Sequence, residues 1–437
     1  MKVKTFHGGA HPPEFKKLAE GKKIEIMPLP EEVFIPLSQH IGAPCKPVVK
    51  KGDQVKTGQI IGEGEGFVTS NVHASISGKV KAIDKFLSPI GTKTNMVQIE
   101  SDGEDEQFQE WTFTDWHDLS IDEMKSRIAQ AGIVGMGGAA FPTNVKLSPP
   151  EDKPINTFII NGCECEPYLT ADHQMMLENS DDLLEGIRII MKILKVEKTI
   201  IGIEDNKQDA IQLLREKTAS DEKIIIQALK VKYPQGAEKN LIDAVLDRQV
   251  PAGGLPMDVG VVVNNVGTAI SVARAVTMQK PLIERVVTVT GQGINKPKNV
   301  LARIGTPFRA LIEFCGGLAP DTKKIINGGP MMGIAQHSVD VPVIKGTSGI
   351  LALTEAMVSD QREFPCIRCA SCVEACPMGL VPTRIASLIE YDKINMAEEM
   401  GALSCVECGS CAYVCPSNIP LVQRIKIGKQ LINDKNN

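Results

Sequence analysis

Two hydrophobic periods alternate along the chain. Between residues 30 and 100, short apolar runs at Val33-Phe-Ile-Pro-Leu, Gln59-Ile-Ile and Gly78-Lys-Val-Lys-Ala are cut by turn signals at Gly52-Asp53, Gly58 and Ser77-Gly78. This is the punctuation of a small β-rich module. After the acidic, turn-prone stretch Ser101-Asp-Gly-Glu-Asp-Glu, strand-like runs at 156–161, 198–203, 223–228 and 259–264 alternate with helical stripes. The clearest stripe sets Leu183, Ile187, Ile190 and Leu194 on one face, behind Ser180 as expected N-cap and an acidic first turn at Asp181-Asp182. Further helices are predicted over 236–247 and 268–278, so the middle of the chain reads as βαβ units in a layered α/β structure.

From Arg285 the pattern changes again. Val286-Val-Thr-Val-Thr-Gly-Gln-Gly, a helix-like Pro307–Cys315 and Lys324-Ile-Ile-Asn-Gly-Gly-Pro fit a small α+β module of the β-grasp kind. Gly291-Gln-Gly293 fits a tight hairpin turn, because the position a dinucleotide fingerprint would give its third glycine holds Lys296. The expected modules are residues 1–105, 106–280, 281–355 and 356–437.

Composition narrows the classes. At ~150 residues per domain a chain of this length builds several cores, and the sequence has 437 residues. With 43% hydrophobic and 23% charged residues and a net charge of -5, it is neither collagenous, disordered nor basic enough to coat nucleic acid. No apolar run reaches the ~18 residues of a spanning helix. The opening Met-Lys-Val-Lys-Thr-Phe-His-Gly-Gly has no apolar core of a signal peptide, so the expected compartment is the cytosol.

The cysteines carry the most specific chemistry. Of 12, eight lie between Cys366 and Cys415. Cys366, Cys369, Cys372 and Cys376-Pro377 spell C-x2-C-x2-C-x3-C-P, and Cys405, Cys408, Cys411 and Cys415-Pro416 repeat it 39 residues on. Three thiolates on a tight loop surround one face of an iron–sulfur cubane, while the fourth, beside proline, points to the other cluster. One [4Fe-4S] cluster is therefore expected on Cys366, Cys369, Cys372 and Cys415, the other on Cys405, Cys408, Cys411 and Cys376. Zinc and free thiols are the competing readings, although zinc sites usually pair two ligands from each of two loops. Pro382, Ile385, Leu388 and Ile389 between the motifs predict helices, hence an α-helical ferredoxin module. Such clusters move single electrons, so a donor of electron pairs needs a converter upstream, usually a flavin.

Gly135-Met-Gly137-Gly138-Ala-Ala-Phe141-Pro142-Thr143, with Lys146 three residues on, is a candidate phosphate cradle: glycines let backbone approach and a lysine neutralises charge. On residue chemistry alone a simple glycine-rich turn is an equal reading. Cys163 and Cys165 read as packing residues, and His7, His11, His40, His73 and His173 as turn or surface residues.

Resemblance adds to this reading. The glycine loop, Asn161-Gly-Cys-Glu164-Cys-Glu166-Pro167, Tyr233-Pro-Gln-Gly236-Ala-Glu238 and Val263-Asn264-Asn265-Val266-Gly-Thr268 resemble the FMN- and NADH-binding subunit of respiratory complex I. The opening Phe6-His-Gly-Gly-Ala-His-Pro-Pro, Pro36-Leu-Ser-Gln-His-Ile-Gly-Ala-Pro, Pro251-Ala-Gly-Gly-Leu-Pro-Met-Asp and the two ferredoxin motifs resemble the C component of the bacterial Rnf complexes, RnfC, over essentially the whole chain. Gly52-Asp-Gln-Val-Lys-Thr-Gly-Gln-Ile-Ile and Val72-His-Ala-Ser-Ile-Ser-Gly-Lys-Val resemble biotinyl and lipoyl carriers, but no lysine lies between these halves, so a structural or docking role is expected.

The resemblance implies a multidomain α/β and α+β chain: an N-terminal barrel-sandwich hybrid, a Rossmann-like FMN domain, a β-grasp module and a two-cluster ferredoxin. It places Gly135, Gly137, Gly138 and Lys146 on the FMN phosphate side and has Asn161, Glu164, Tyr233, Gly236, Glu238, Asn264, Asn265 and Thr268 line the flavin. Phe141 and Glu166 would approach NAD(H). Cys163 and Ala237 depart from the complex I pattern, which has Asp and a second Glu there. The implied function is electron transfer between NAD(H) and ferredoxin, the latter reached through other subunits, coupled to ion movement. Other subunits would hold the chain on the cytoplasmic side of the inner membrane. The alternatives are the cobalamin reductase of propanediol utilisation, which shares the flavin and ferredoxin modules, and a non-catalytic iron–sulfur adaptor.

Overall fold

Thr199-Ile-Ile-Gly-Ile-Glu204 and Val261-Val-Val-Asn-Asn265 are near-continuous apolar runs, as strands buried on both faces of a parallel sheet must be. A computed structural model describes residues 2–358 and 362–436. It places these strands in a parallel sheet ordered Ile224–Leu229, Thr199–Glu204, Thr157–Gly162, Val261–Asn265. The helices Ser180–Leu194 and Val266–Met278 lie against one another over this sheet and share its largest core cluster. Their approach depends on Gly186, where a Cβ would stand 1.9 Å from the Ala269 carbonyl oxygen. The predicted N-cap is displaced: Ser180 is the buried first residue of the helix and Asn179 precedes it without a side-chain cap. Two tightly joined helices explain this, since Ala171–Glu178 ends one residue before the next begins.

The N-terminal module is two antiparallel sheets, Glu32–Pro36, Lys93–Ser101, Gly78–Leu87, Gln54–Val55 and Lys46–Pro47, Ile60–Glu63, Val72–His73. Val33, Ile35, Ile61, Val80, Val97 and Ile99 fill the space between them. The acidic stretch after this module is tied down, with Asp105 accepting from Thr57 Oγ1 at 2.6 Å and pairing with Arg303.

In the third module, Glu284–Thr290 pairs antiparallel with Lys298–Arg303 and parallel with Gly349–Thr354, against the helix Phe308–Phe314. The connection after Thr290 is a seven-residue loop, 291–297, longer than the tight turn expected. It bends where Gly291, at φ +102, lets the chain pass so close to Ala352 that a Cβ would meet its carbonyl oxygen at 2.1 Å.

The ferredoxin module is helical: Ser371–Glu374 and Ser410–Tyr413 follow the cysteine loops, and Pro382–Glu390, Ile394–Glu399 and Leu421–Asn436 pack around them.

The N-terminal stretch does not stay with its barrel. Lys4 pairs with the edge strand of the central sheet, its N–H donating to Ala228 at 3.2 Å, and Phe6 is buried in that sheet's core. Glu25–Ile26 joins the third module's sheet beside Lys298–Arg303.

Two expectations about histidines fail. His73 sits in a strand and His173 in the helix Ala171–Glu178, and both are buried. His173 Nε2 meets Asp209 Oδ1 at 2.7 Å. His73 has no partner on Nδ1, and burial holds its pKa down at about 3. Among the described residues no helix is long and apolar enough to cross a membrane.

Candidate flavin and cluster sites

The glycine loop closes on itself: Gly135 N–H donates to Phe141 O at 2.8 Å and Thr143 N–H to Ile133 O at 3.0 Å. Its neighbour is the start of the helix Val266–Met278. Met136 N–H donates to Thr268 Oγ1 at 2.9 Å, and a Cβ at Gly137 would stand 2.9 Å from that of Asn265. Around Gly138 nothing lies within 4 Å of the Cβ position, so this stretch of backbone faces open space. Lys146 pairs with Glu238 at 2.6 Å, linking the cradle to the N-terminus of Glu238–Leu246. Asn161 Nδ2 donates to Gly236 O at 2.7 Å, and Asn265 Nδ2 donates to Asp172 Oδ2 at 2.6 Å.

The sequence-chosen residues of four separate segments are thus brought to one end of the parallel sheet, beyond the carboxyl ends of its strands, where open α/β folds bind ligands. Three buried polar atoms in these stretches lack partners: Thr143 Oγ1, Gln235 Nε2 and Asn264 Nδ2. Unpaired buried groups are rare and costly, so each calls for an explanation, and a bound ligand is one. Open backbone at Gly138, a lysine eight residues on and unpaired polar groups in these stretches fit FMN.

Glu164 and Glu166 flank Cys165 and face different ways. The Glu164 carboxylate accepts from the N–H groups of Asp172 and His173, at 2.7 and 3.2 Å, at the start of a helix where negative charge is favoured. Glu166 accepts from Met331 and Met332 N–H, at 3.1 and 2.8 Å, on a loop of the third module. Burial pushes the Glu166 carboxyl up to about 7, against the pull of those two amides. Burial likewise raises Asp172 to about 7, with the Glu164 charge adding to it. Cys163 is fully buried beneath the loop, and Cys165 accepts from Gly236 N–H at 3.3 Å.

Tyr233 bridges to the ferredoxin module. Its buried hydroxyl donates to the carbonyl oxygen of Cys408 at 2.8 Å.

The two cysteine loops have matching backbones. Arg368 and Glu407 are left-handed at φ 57 and 59, as are Ala370 and Gly409 at φ 63 and 79. The turns aim N–H groups at sulfur, from Arg368 to Cys366 and from Glu407 to Cys405, both at 3.4 Å. Cys366, Cys369 and Cys372 line a cavity of about 200 Å³ together with Cys415 of the other motif. Cys376 lies instead with Cys405, Cys408 and Cys411; burial first, then these three neighbours, push the Cys411 thiol up to about 12. Among the described residues no three Cys, His, Asp or Glu converge closely enough to hold a single metal ion. A cubane is held at its corners, so thiols ringing a cavity suit it.

Several supporting groups carry no motif. Lys16 is buried, and its ammonium donates to the carbonyls of Glu164, Glu166 and Leu169 at 2.8, 3.0 and 2.6 Å. Arg285 donates to Met136 O in the glycine loop at 2.8 Å and to Lys345 O at 2.9 Å. Lys207 and Glu204 form a buried pair at 3.3 Å. In sequence these are lone charges among many, and only tertiary burial singles them out.

Comparison with known proteins sets these sites in a family. Residues 128–274 match the Nuo51 FMN-binding domain and residues 357–416 the 4Fe-4S dicluster domain. Residues 4–104 match the RnfC barrel sandwich hybrid domain and 286–335 the SLBB domain. The class is therefore a flavin-fold protein carrying a dicluster ferredoxin.

The chain is 52% identical over 91% of its length to the C component of the proton-translocating ferredoxin:NAD(+) oxidoreductase complex of Clostridium ljungdahlii, covering 87% of it. It is 46% identical over 99% of its length to the corresponding component of the Na(+)-translocating complex of Acetobacterium woodii, covering 98%. The C component of a Rhodobacter capsulatus ion-translocating oxidoreductase complex is 41% identical over 99% of the chain and 84% of its own length. The chain belongs to the RnfC family, a component of ion-translocating ferredoxin:NAD oxidoreductase (Rnf) complexes. A solved NAD+-reducing [NiFe]-hydrogenase shares the fold at a TM-score of 0.50 and 19% identity, over 73% of this chain and 61% of that one.

Proposed function

We propose that this chain exchanges hydride between NAD(H) and FMN and passes single electrons through two [4Fe-4S] clusters to partner subunits of a membrane complex. FMN would rest on Gly135, Gly137, Gly138 and Lys146 and be lined by Asn161, Glu164, Tyr233, Gly236, Glu238, Asn264, Asn265 and Thr268. Phe141 and Glu166 would meet the nicotinamide nucleotide. The clusters would take Cys366, Cys369, Cys372 and Cys415, and Cys405, Cys408, Cys411 and Cys376. When bound, FMN supplies the conversion between a two-electron and a one-electron carrier. The protein's own part is to orient it, to exclude water and to keep the next carrier near.

The observation that carries this reading is the Tyr233 hydroxyl on the Cys408 carbonyl. A flavin-lining candidate and a candidate cluster cysteine share one hydrogen bond, which supports two contiguous sites. The names of the relatives supply the reaction, ferredoxin:NAD(+) oxidation–reduction with ion translocation. The modules would divide near residues 105, 280 and 355. Because the relatives are named as components of ion-translocating complexes, we place the chain on the cytoplasmic face of the inner membrane through partner subunits. The test is anaerobic reconstitution with FMN, iron and sulfide, followed by NADH. Bleaching of flavin and then of the clusters is expected; a flavin-loaded sample that NADH leaves unchanged overturns the reading.

A further inference from the structure

The opening phrase Phe6-His-Gly-Gly-Ala-His-Pro-Pro has no task in either redox site, yet it is held from two sides. Towards the flavin fold, Ala10 and Tyr233 exchange backbone hydrogen bonds at 2.7 and 2.9 Å. Towards the ferredoxin module, Gly9 N–H donates to Ala375 O at 2.9 Å. A Cβ at Gly8, whose φ is +77, would stand 2.9 Å from the carbonyl oxygen of Cys376. Further along, Lys16 directs its donors to three carbonyls of the 164–169 loop. Phe15 stacks on Tyr168 at 4.8 Å, and Tyr168 N–H donates to Glu14 O at 2.7 Å.

We propose that residues 4–18 are a positioning strap: they fix the 164–169 loop and Tyr233 relative to the cluster ligated by Cys376, Cys405, Cys408 and Cys411. The proposal rests on the flavin-to-cluster reading above. The strap grips main chain at both ends, so its position is transmitted to backbone and not absorbed by side-chain rotamers. In the loop it holds, Glu164 and Tyr168 are left-handed at φ 47 and 70, which non-glycine residues keep only where the surroundings over-determine them. At its other end it abuts a cysteine ligand directly. Gly8 is what permits that approach.

Gly8→Ala in the full chain, anaerobically reconstituted, tests this, with Gly21→Ala as control. Gly21 is also left-handed, at φ +70, but has nothing within 4 Å of its Cβ position. After dithionite reduction, the EPR signature of the Cys376 cluster should shift in Gly8→Ala while that of the Cys366 cluster stays. In stopped flow, NADH should reduce the flavin at the wild-type rate, and the following cluster reduction should slow about tenfold, the scale on which contacts between coupled sites act. Gly21→Ala should match wild type. Unchanged EPR and cluster rates in Gly8→Ala, or equal losses in both variants, overturn the strap.

Should Gly8→Ala fail to fold, Lys16→Met should slow flavin reduction by NADH with both EPR signatures unaltered. Wild-type rates there overturn the proposal equally. A wild-type protein with sound clusters that NADH cannot reduce sinks the functional reading instead, and the EPR comparison still decides the strap.

Discussion

The flavin fold and the ferredoxin module lie side by side but are stabilised differently. The flavin fold has a large aliphatic core, and its candidate site is a rim of backbone and amide groups above finished strands. The ferredoxin core is small and counts two candidate ligand cysteines, Cys372 and Cys411, among its buried members. In the first, the fold comes before the ligand; in the second, the ligand would be part of the fold. A module this small gains little from burial alone, so bound clusters would supply part of its folding free energy.

The largest expected effect breaks that contrast directly. Stripping iron with a chelator should erase amide-exchange protection across 362–436 while the strands Thr157–Gly162 and Thr199–Glu204 remain protected. Cys376→Ser sharpens the same point. It should damage the cluster of Cys405, Cys408 and Cys411 and spare the one on Cys366, Cys369, Cys372 and Cys415. Iron counting with EPR reads this, and loss of only the Cys366-side cluster would contradict the crossed assignment.

On the flavin side, Gly137→Val should abolish FMN binding while far-UV CD stays that of the wild type. The added side chain crowds Asn265, whose Cβ already lies 2.9 Å from the Gly137 Cβ position. A purified variant with full flavin would remove this loop from the site.

Asn264→Ala should act more gently. The Asn264 Nδ2 group has no partner in the protein, so apo stability should hardly move. If FMN supplies the missing acceptor, its Kd should rise about tenfold, roughly one net hydrogen bond. Titration calorimetry on both forms separates the two quantities.

How far these sites could be read in advance follows the same contrast. The cysteine motifs are legible because their spacing is local: four cysteines within eleven positions, repeated, admit few chemistries. The parallel sheet is legible through its apolar runs. The buried polar supports are not. Lys16, Arg285 and Lys345 look in sequence like any solvated cation, and long charged side chains are almost never fully buried unless paired. The burial of His73 and His173 is illegible for the same reason, since a histidine carries no periodic signal of its own. The strap was visible as a phrase of family resemblance, but nothing local says that Gly8 lies against Cys376 some 370 positions away.

The smallest expected effect concerns a joint among three modules. Lys345, from the third module, donates to Asn71 O in the barrel and to Gly132 O in the flavin fold, both at 2.7 Å, beside the neutral His73. Burial pulls its pKa down from 10.5 to about 7. Two acceptors match the two hydrogens of a neutral amine, which costs less to bury than an ammonium. Because the folded value lies below the unfolded one, this group's contribution is fully present above about 10.5 and is lost as pH falls through about 7. Glu166 and Asp172, raised to about 7, work the other way: their contribution is complete below the unfolded carboxylate range and is lost as pH rises through about 7. Between pH 7 and 9, therefore, the flavin fold and barrel should gain stability from Lys345 as the carboxyl contributions level off. Denaturant titrations across that window should show a rise in the wild type that Lys345→Met flattens. A slope identical in both would mean that the amine stays charged at this joint and that the three modules are held there by an ammonium.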